Sequence, residues 1–138
     1  MNAKQEFLRI MNSQCEIALA TSVNDVANVR IVNFYYDEKS KKIYFSTFKE
    51  NNKVSEFKQN NKVAITTIPH MGVEHIKIRG VVKGSELTVY DLKKEFANKI
   101  KDYGNTIEQM GQFLELYEII FDKATITLDF DNKAEYCL

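Results

Sequence analysis

Residues Cys15, Ile17, Leu19 and Thr21 alternate with small ones such as Ala18 and Ala20, the pattern of a strand buried on one side and crowded on the other. Asn24-Asp25 then reads as a turn. Val29 to Asp37 and Lys42 to Thr47 are rich in β-formers and flank Glu38-Lys39-Ser40-Lys41, which predicts a hairpin with a solvated tip. Lys62 to Ile68 places Val63, Ile65 and Thr67 on one face. Val73 to Gly84 places Ile76, Ile78, Gly80 and Val82 opposite His75, Lys77, Arg79 and Lys83. Tyr117, Ile119 and Phe121 alternate, and so do Ala124, Ile126, Leu128 and Phe130, giving about seven strands.

Between these runs the period lengthens. Phe7, Leu8 and Met11 have helical spacing within Lys4 to Met11. Asn51 to Lys58 predicts a short helix with Asn51 as N-cap and Val54 and Phe57 on one face. Thr88-x-x-Asp91 predicts the cap of a helix reaching about Lys101, with Leu92, Phe96 and Ile100 as its stripe, and Tyr103-Gly104-Asn105 as its end. Many short strands with apolar residues on both faces argue for a closed or nearly closed barrel covered by about three helices.

The chain has 138 residues, enough for one core and too few for two, so a single domain over 1–138 with one site is expected. Nineteen basic residues balance nineteen acidic ones, which removes the broad positive field that nucleic-acid or anionic-membrane binding requires. No run approaches the ~20 apolar residues of a membrane span and the start lacks a signal-peptide core, so a soluble, cytoplasmic protein is expected. Cys15 and Cys137 lack CxxC spacing, which points to free thiols, and no metal site is expected.

Lys49 and Lys53 crowd the start of the helix at Asn51, where the helix dipole favours acidic side chains. A bound anion would reverse the sign of that interaction. Arg30 lies on the hairpin partner of Tyr44 to Thr47, so Arg30, the Thr47 hydroxyl and Lys53 together would suit a phosphomonoester. The alternative is that Arg30 pairs with a surface carboxylate and Lys53 is a solvated helix residue, with Glu50 offsetting the dipole.

The blocks Arg30-Ile31-Val32-Asn33-Phe34-Tyr35-Tyr36-Asp37, Tyr44-Phe45-Ser46-Thr47 and Asn51-Asn52-Lys53, followed by Asn60-Asn61-Lys62-Val63-Ala64 and Glu74-His75-Ile76-Lys77-Ile78-Arg79-Gly80, resemble the FMN-binding stretch of the pyridoxamine 5'-phosphate oxidase-like split barrels. Their order and spacing are more specific than any one block. The resemblance implies a mainly β fold, a six- to seven-stranded split β-barrel of Greek-key type with about three flanking helices. It also implies a homodimer with FMN at the subunit interface. Carried over by position, Arg30 and Lys53 would bind the flavin phosphate, Ser46, Thr47 and Asn52 would add backbone and hydroxyl or amide contacts, and Ile31, Val32 and Asn33 would border the ring. His75 stands where the family's oxidases carry a flavin-bonding Gln, and a cationic His there would favour negative charge on the ring.

Two departures bear on the reaction. Tyr35 replaces a lysine that holds substrate phosphate in those oxidases, and the chain ends at Glu135-Tyr136-Cys137-Leu138 without their Arg-containing segment. Oxidation of pyridoxamine phosphate is therefore not the expected activity. The length is similar to the general-stress-protein and nitroimidazole-reductase-like branches. That implies an FMN-dependent oxidoreductase passing electrons from reduced nicotinamide to a small organic acceptor. The alternatives are a non-catalytic FMN-binding or sensing protein, or a split barrel binding haem or a deazaflavin, with His70 and His75 as the only histidines available to haem.

Overall fold

The computed structural model describes residues 1–50 and 52–138, with Asn52 described in its backbone only. Asn51 as a cap and the side chain of Asn52 thus lie outside the described residues. The elements run α1 (Ala3–Ser13), β1 (Glu16–Val23), β2 (Val26–Asn33), β3 (Tyr35–Asp37), β4 (Lys42–Phe48), α2 (Asn52–Gln59), β5 (Lys62–Thr67), β6 (His75–Gly84), α3 (Lys93–Lys99), α4 (Tyr103–Met110), a 3₁₀ turn (Gly111–Phe113), β7 (Leu114–Ile120), β8 (Lys123–Thr127) and β9 (Lys133–Cys137). The protein is mainly β, as the alternation of its apolar residues predicts.

Tight turns set the first strand pairs. Asn24 and Asp25 both adopt left-handed backbone, with φ of 52° and 64°, and hold β1 antiparallel to β2 with Val23 opposite Val26. That is the two-residue hairpin whose twist matches its strands. The tip between β3 and β4 is closed by Asp37, whose carboxylate accepts from the Lys39 and Ser40 N–H groups and the Ser40 hydroxyl.

The long strand expected over Val29 to Asp37 is interrupted at Phe34, and that break decides the architecture. The hydrogen-bonded order is β2-β1-β5-β6-β7-β4-β3, so β2 and β3 are opposite ends of one ladder although a single residue joins them. The sheet is thus closed through the covalent chain at Phe34. Away from that point β2 and β4 touch but form no ladder among the described residues, leaving a seam.

The sheet also forks. β6 pairs with β8 over His75–Ile78 and with β7 over Val81–Gly84. Gly80 sits at the fork, where a Cβ would lie 2.5 Å from the Ile120 carbonyl oxygen, so only glycine lets the strands meet.

The main core holds Phe7, Ile10 and Met11 of α1, Val54 and Phe57 of α2, and the inward residues of the barrel strands, including Leu19, Ile43, Phe45, Ile65, Ile78 and Ile119. A second, smaller core joins Phe96, Ile100 and Ile107 to Tyr44 and Leu116 on the other face of β4 and β7.

Three local expectations are corrected. The helix capped by Thr88 begins only at Lys93. Asp91 does accept from the Thr88 N–H and hydroxyl, but this closes a turn ahead of the helix. Tyr103-Gly104-Asn105 opens α4 instead of ending α3. The strand expected through Phe130 stops at Thr127, and β9, which had no clear alternation, pairs along β8. Among the described residues no helix is long and apolar enough to cross a membrane.

Candidate functional site

Tyr35 stands opposite Tyr44 in the β3–β4 pair. β2 runs on from β3 through Phe34 and touches β4 without forming a ladder, so β2 and β4 are opposite banks of the seam. The residues singled out in β2 and β4 therefore lie on strands either side of one seam, and Lys53 stands on α2, which packs on β1, near enough to Arg30 for their charges to interact.

Alternation distributes their side chains. Arg30 faces inward opposite Leu19, and Thr47 is buried on the face of β4 that carries Ile43 and Phe45. Ser46 points the other way, and its hydroxyl is hydrogen-bonded to the Tyr103 hydroxyl of α4. Its side chain is thus engaged beneath the helices, leaving backbone groups to face the seam. Ile31 is exposed and Asn33 half-buried on the outward face of β2.

At one end of the seam, charges converge. The Arg30 guanidinium donates to the Thr21 hydroxyl at 2.7 Å and to Glu56 Oε2 at 2.8 Å. Thr21 in turn donates to the same carboxylate, and Asn28 Nδ2 donates to its other oxygen at 3.1 Å. The Thr21 hydroxyl, with burial opposing and Arg30 and Asn28 assisting, holds the Glu56 carboxyl below its ordinary range. Burial pushes the Lys53 ammonium down, Arg30 pushes it further, and Glu56 opposes both. Arg30, Lys53 and Glu56 are therefore one electrostatic unit. Arg30 does pair with a carboxylate, as the alternative sequence reading allowed, but Lys53 is not a solvated helix residue. Glu56 was missed in the sequence; its only signal was the i, i+3 spacing from Lys53.

His75 lies apart. β1 and β5 separate β6 from β2, which at strand spacing is about 14 Å. Its Nδ1 is 2.7 Å from the Val73 carbonyl oxygen, whereas His70 Nε2 lies 3.3 Å from that of Ser13. Between β2 and β6 the outward face is floored by Ala18, Ala20, Ala64 and Thr66, and a cavity of about 810 Å³ opens there against Gly80 and Ile120. Val29 and Ile31 flank the floor with 63% and 60% of their surface exposed. Among the described residues no group of His, Cys, Asp and Glu could hold a metal ion, and both cysteines are free.

Residues 10–133 match the family model described as pyridoxamine 5'-phosphate oxidase-like. The chain belongs to this family. Solved structures agree in fold: general stress protein 26 from Bacillus anthracis str. Sterne superposes with a TM-score of 0.77 at 17% identity, each chain covered over 100%. A heme binding protein from Mycobacterium smegmatis gives 0.79 at 8% identity, over 99% of this chain and 58% of that one. A FAD-binding protein from Mesorhizobium loti gives 0.66 at 11% identity, over 88% and 89% of the two chains. No curated protein matches the sequence. The fold is thus shared with one neighbour named as FAD-binding and one named as heme-binding.

Proposed function

We propose that this protein is an FMN-binding oxidoreductase that works as a homodimer, with the flavin phosphate at Arg30 and Lys53 and the ring along β2 in the seam. The observation that carries this reading is the gathering of two cations beside a seam that no backbone ladder closes among the described residues. Two cations pressed together and partly desolvated repel each other, and a phosphate between them turns that repulsion into attraction. The unpaired edge of β2 offers backbone N–H and C=O groups at Ile31 to Asn33, the kind of rim that hydrogen-bonds a planar heteroaromatic ring.

The outward face supports the proposal of a second copy. Exposed Val29 and Ile31 beside a floor of alanines suit a partner sheet, and burying them removes apolar area from water. His75, too far from β2 of its own chain, would reach a ring held by the other copy. When bound, the flavin supplies the redox chemistry; the chain's residues hold and orient it. Electron transfer from a reduced nicotinamide to a small organic acceptor is the activity proposed.

A carrier that holds FMN without turnover is a second reading, favoured because Glu56, the acidic group at the phosphate end, is locked by three donors. Anaerobic mixing with NADH or NADPH separates the two readings, since rapid bleaching followed by reoxidation on adding an acceptor excludes a carrier. The absorption spectrum of the purified protein tests the cofactor itself. Flavin bands near ~450 nm support the reading, and a Soret band overturns it.

A further inference from the structure

On the opposite side of β3 from the main core, away from Arg30, is a cavity of about 320 Å³ lined by Asn12, Tyr35, Glu95, Asn98 and Lys99. The proposed flavin chemistry gives this cluster no role. Glu95 and Lys99 stand at i and i+4 on α3, the spacing at which such a pair ordinarily forms a salt bridge. They form none. Lys99 Nζ instead donates to the Met11 carbonyl oxygen at 2.9 Å and lies 3.5 Å from the centroid of the Phe34 ring. Glu95 Oε2 is buried with no hydrogen-bond partner among the described residues.

Lys99 is thus an amine taken out of water with no carboxylate to hold its charge. A backbone carbonyl and an aromatic face are weak compensation for lost hydration. Burial accordingly pushes its pKa down to about 7, with the nearby Cys15 opposing the shift. Both contacts can be kept by N–H groups of the neutral amine, which leaves the lone pair uncommitted. Desolvation of a lysine without an ion-pair partner is a general way of making a nucleophilic amine.

We infer that Lys99 is a carbonyl-capturing residue, forming an imine with a small, hydrogen-bonding aldehyde that enters the cavity beside Tyr35 and Glu95. The Nζ lone pair attacks the carbonyl carbon, and the carbonyl π electrons move to oxygen, which takes up a proton. The nitrogen gives up both of its protons, and the oxygen takes up a second and departs as water as the C=N bond forms. The sum is amine plus aldehyde giving imine plus water, with no oxidation or reduction. Glu95 and Tyr35 border the same cavity and are the groups to relay protons from the nitrogen to the departing oxygen. The amides of Asn12 and Asn98 supply hydrogen bonds to a polar substituent on the aldehyde. None of this depends on flavin.

The test uses the purified full chain at pH 7 with salicylaldehyde as probe. Sodium cyanoborohydride traps the imine as a stable secondary amine, and peptide mass mapping locates it. About half of the Lys99 amine is neutral at that pH, against fewer than ~1 in 1,000 of an ordinary exposed lysine, so labelling at Lys99 should be at least ~10-fold faster than at Lys77. Lys99→Arg, which keeps the cation over Phe34, should remove the fast-labelled site and leave the slow surface labelling unchanged. Labelling of Lys99 in the wild-type chain at the rate of Lys77, or slower, overturns the inference whether or not the variant folds.

Discussion

Arg30 Nη2 lies 2.8 Å from Glu56 Oε2, so the cation proposed to hold the flavin phosphate already holds a carboxylate. Both side chains are only 18% exposed, which makes the pair stronger than a surface ion pair and costly to break by removing one partner. A phosphate at Arg30 must compete with Glu56 or displace it. Glu56→Gln keeps the shape and one acceptor oxygen and removes the competing charge. Its FMN affinity should rise by about 10-fold or more, since a like charge within a few ångströms of the ligand is removed. Fluorescence titration of apoprotein reads this, and equal or weaker binding would show that Glu56 supports the site.

Arg30→Ala combined with Lys53→Ala should bind FMN at least ~100-fold more weakly, from two lost charge-assisted hydrogen bonds of about 1.5–3 kcal/mol each. The far-ultraviolet circular dichroism should still be that of a folded chain, of lower stability because Glu56 loses its partner, since neither side chain belongs to the hydrophobic core. A folded double variant with unchanged FMN affinity would remove these residues from the phosphate site.

Gly80→Ala tests the fork in the sheet. The new methyl would meet the Ile120 carbonyl oxygen at 2.5 Å and Ile119 Cγ2 at 3.0 Å, and backbone cannot step aside as a flexible side chain would. A loss of about 1–3 kcal/mol is expected by chemical denaturation. Gly84→Ala, four residues along the same strand with nothing within 4 Å of the added carbon, is the control and should change stability little.

Phe45→Ala should cost about 3–5 kcal/mol, since its ring is fully buried and stacks on Tyr117 at 5.8 Å with Phe57 edge-on at 5.9 Å. Urea midpoints for the variant and wild type measure the loss.

Lys99 gives the stability an unusual slope on the alkaline side. Its folded pKa, about 7, is far below the 10.5 of the unfolded chain, so between those values the unfolded state binds a proton that the folded state does not. Stability should therefore rise with pH from about 7 towards 10, by up to ~1.4 kcal/mol per unit for this one group. Lys99→Met should flatten that rise in a thermal-unfolding series. A wild-type curve no steeper than that of the variant would mean that Lys99 keeps its proton when folded.

The hydrophobic alternation was enough to locate most strands, because a two-residue period is a local property and each strand buries one face on its own account. Asn24-Asp25 marked its hairpin for the same reason: left-handed backbone is a preference of those residues themselves. The block order from Arg30 to Gly80 was sufficient to indicate the family, which the match over residues 10–133 bears out. Pairing was not legible. Nothing local to Val29–Asp37 says that Phe34 separates the two ends of one ladder, since that depends on which distant strands each half meets. β9 and the late start of α3 were likewise decided by what β8 and the second core had left to cover.

The candidate site divides in the same way. Lys53, with Lys49, was visible as a cation out of place at a helix start, and Arg30 as a cation on a neighbouring strand; their charge and spacing are written in the chain. That Glu56 would close on Arg30, that Ser46 would turn away to Tyr103, and that Lys99 would lose its water without gaining a carboxylate are all long-range events. Residue type and spacing determined which groups this protein could bring to a site. Only the packing of α2 on β1 and of α3 beside β3 decided which of them share a dielectric environment, because solvation and charge coupling depend on distance in space and not along the chain.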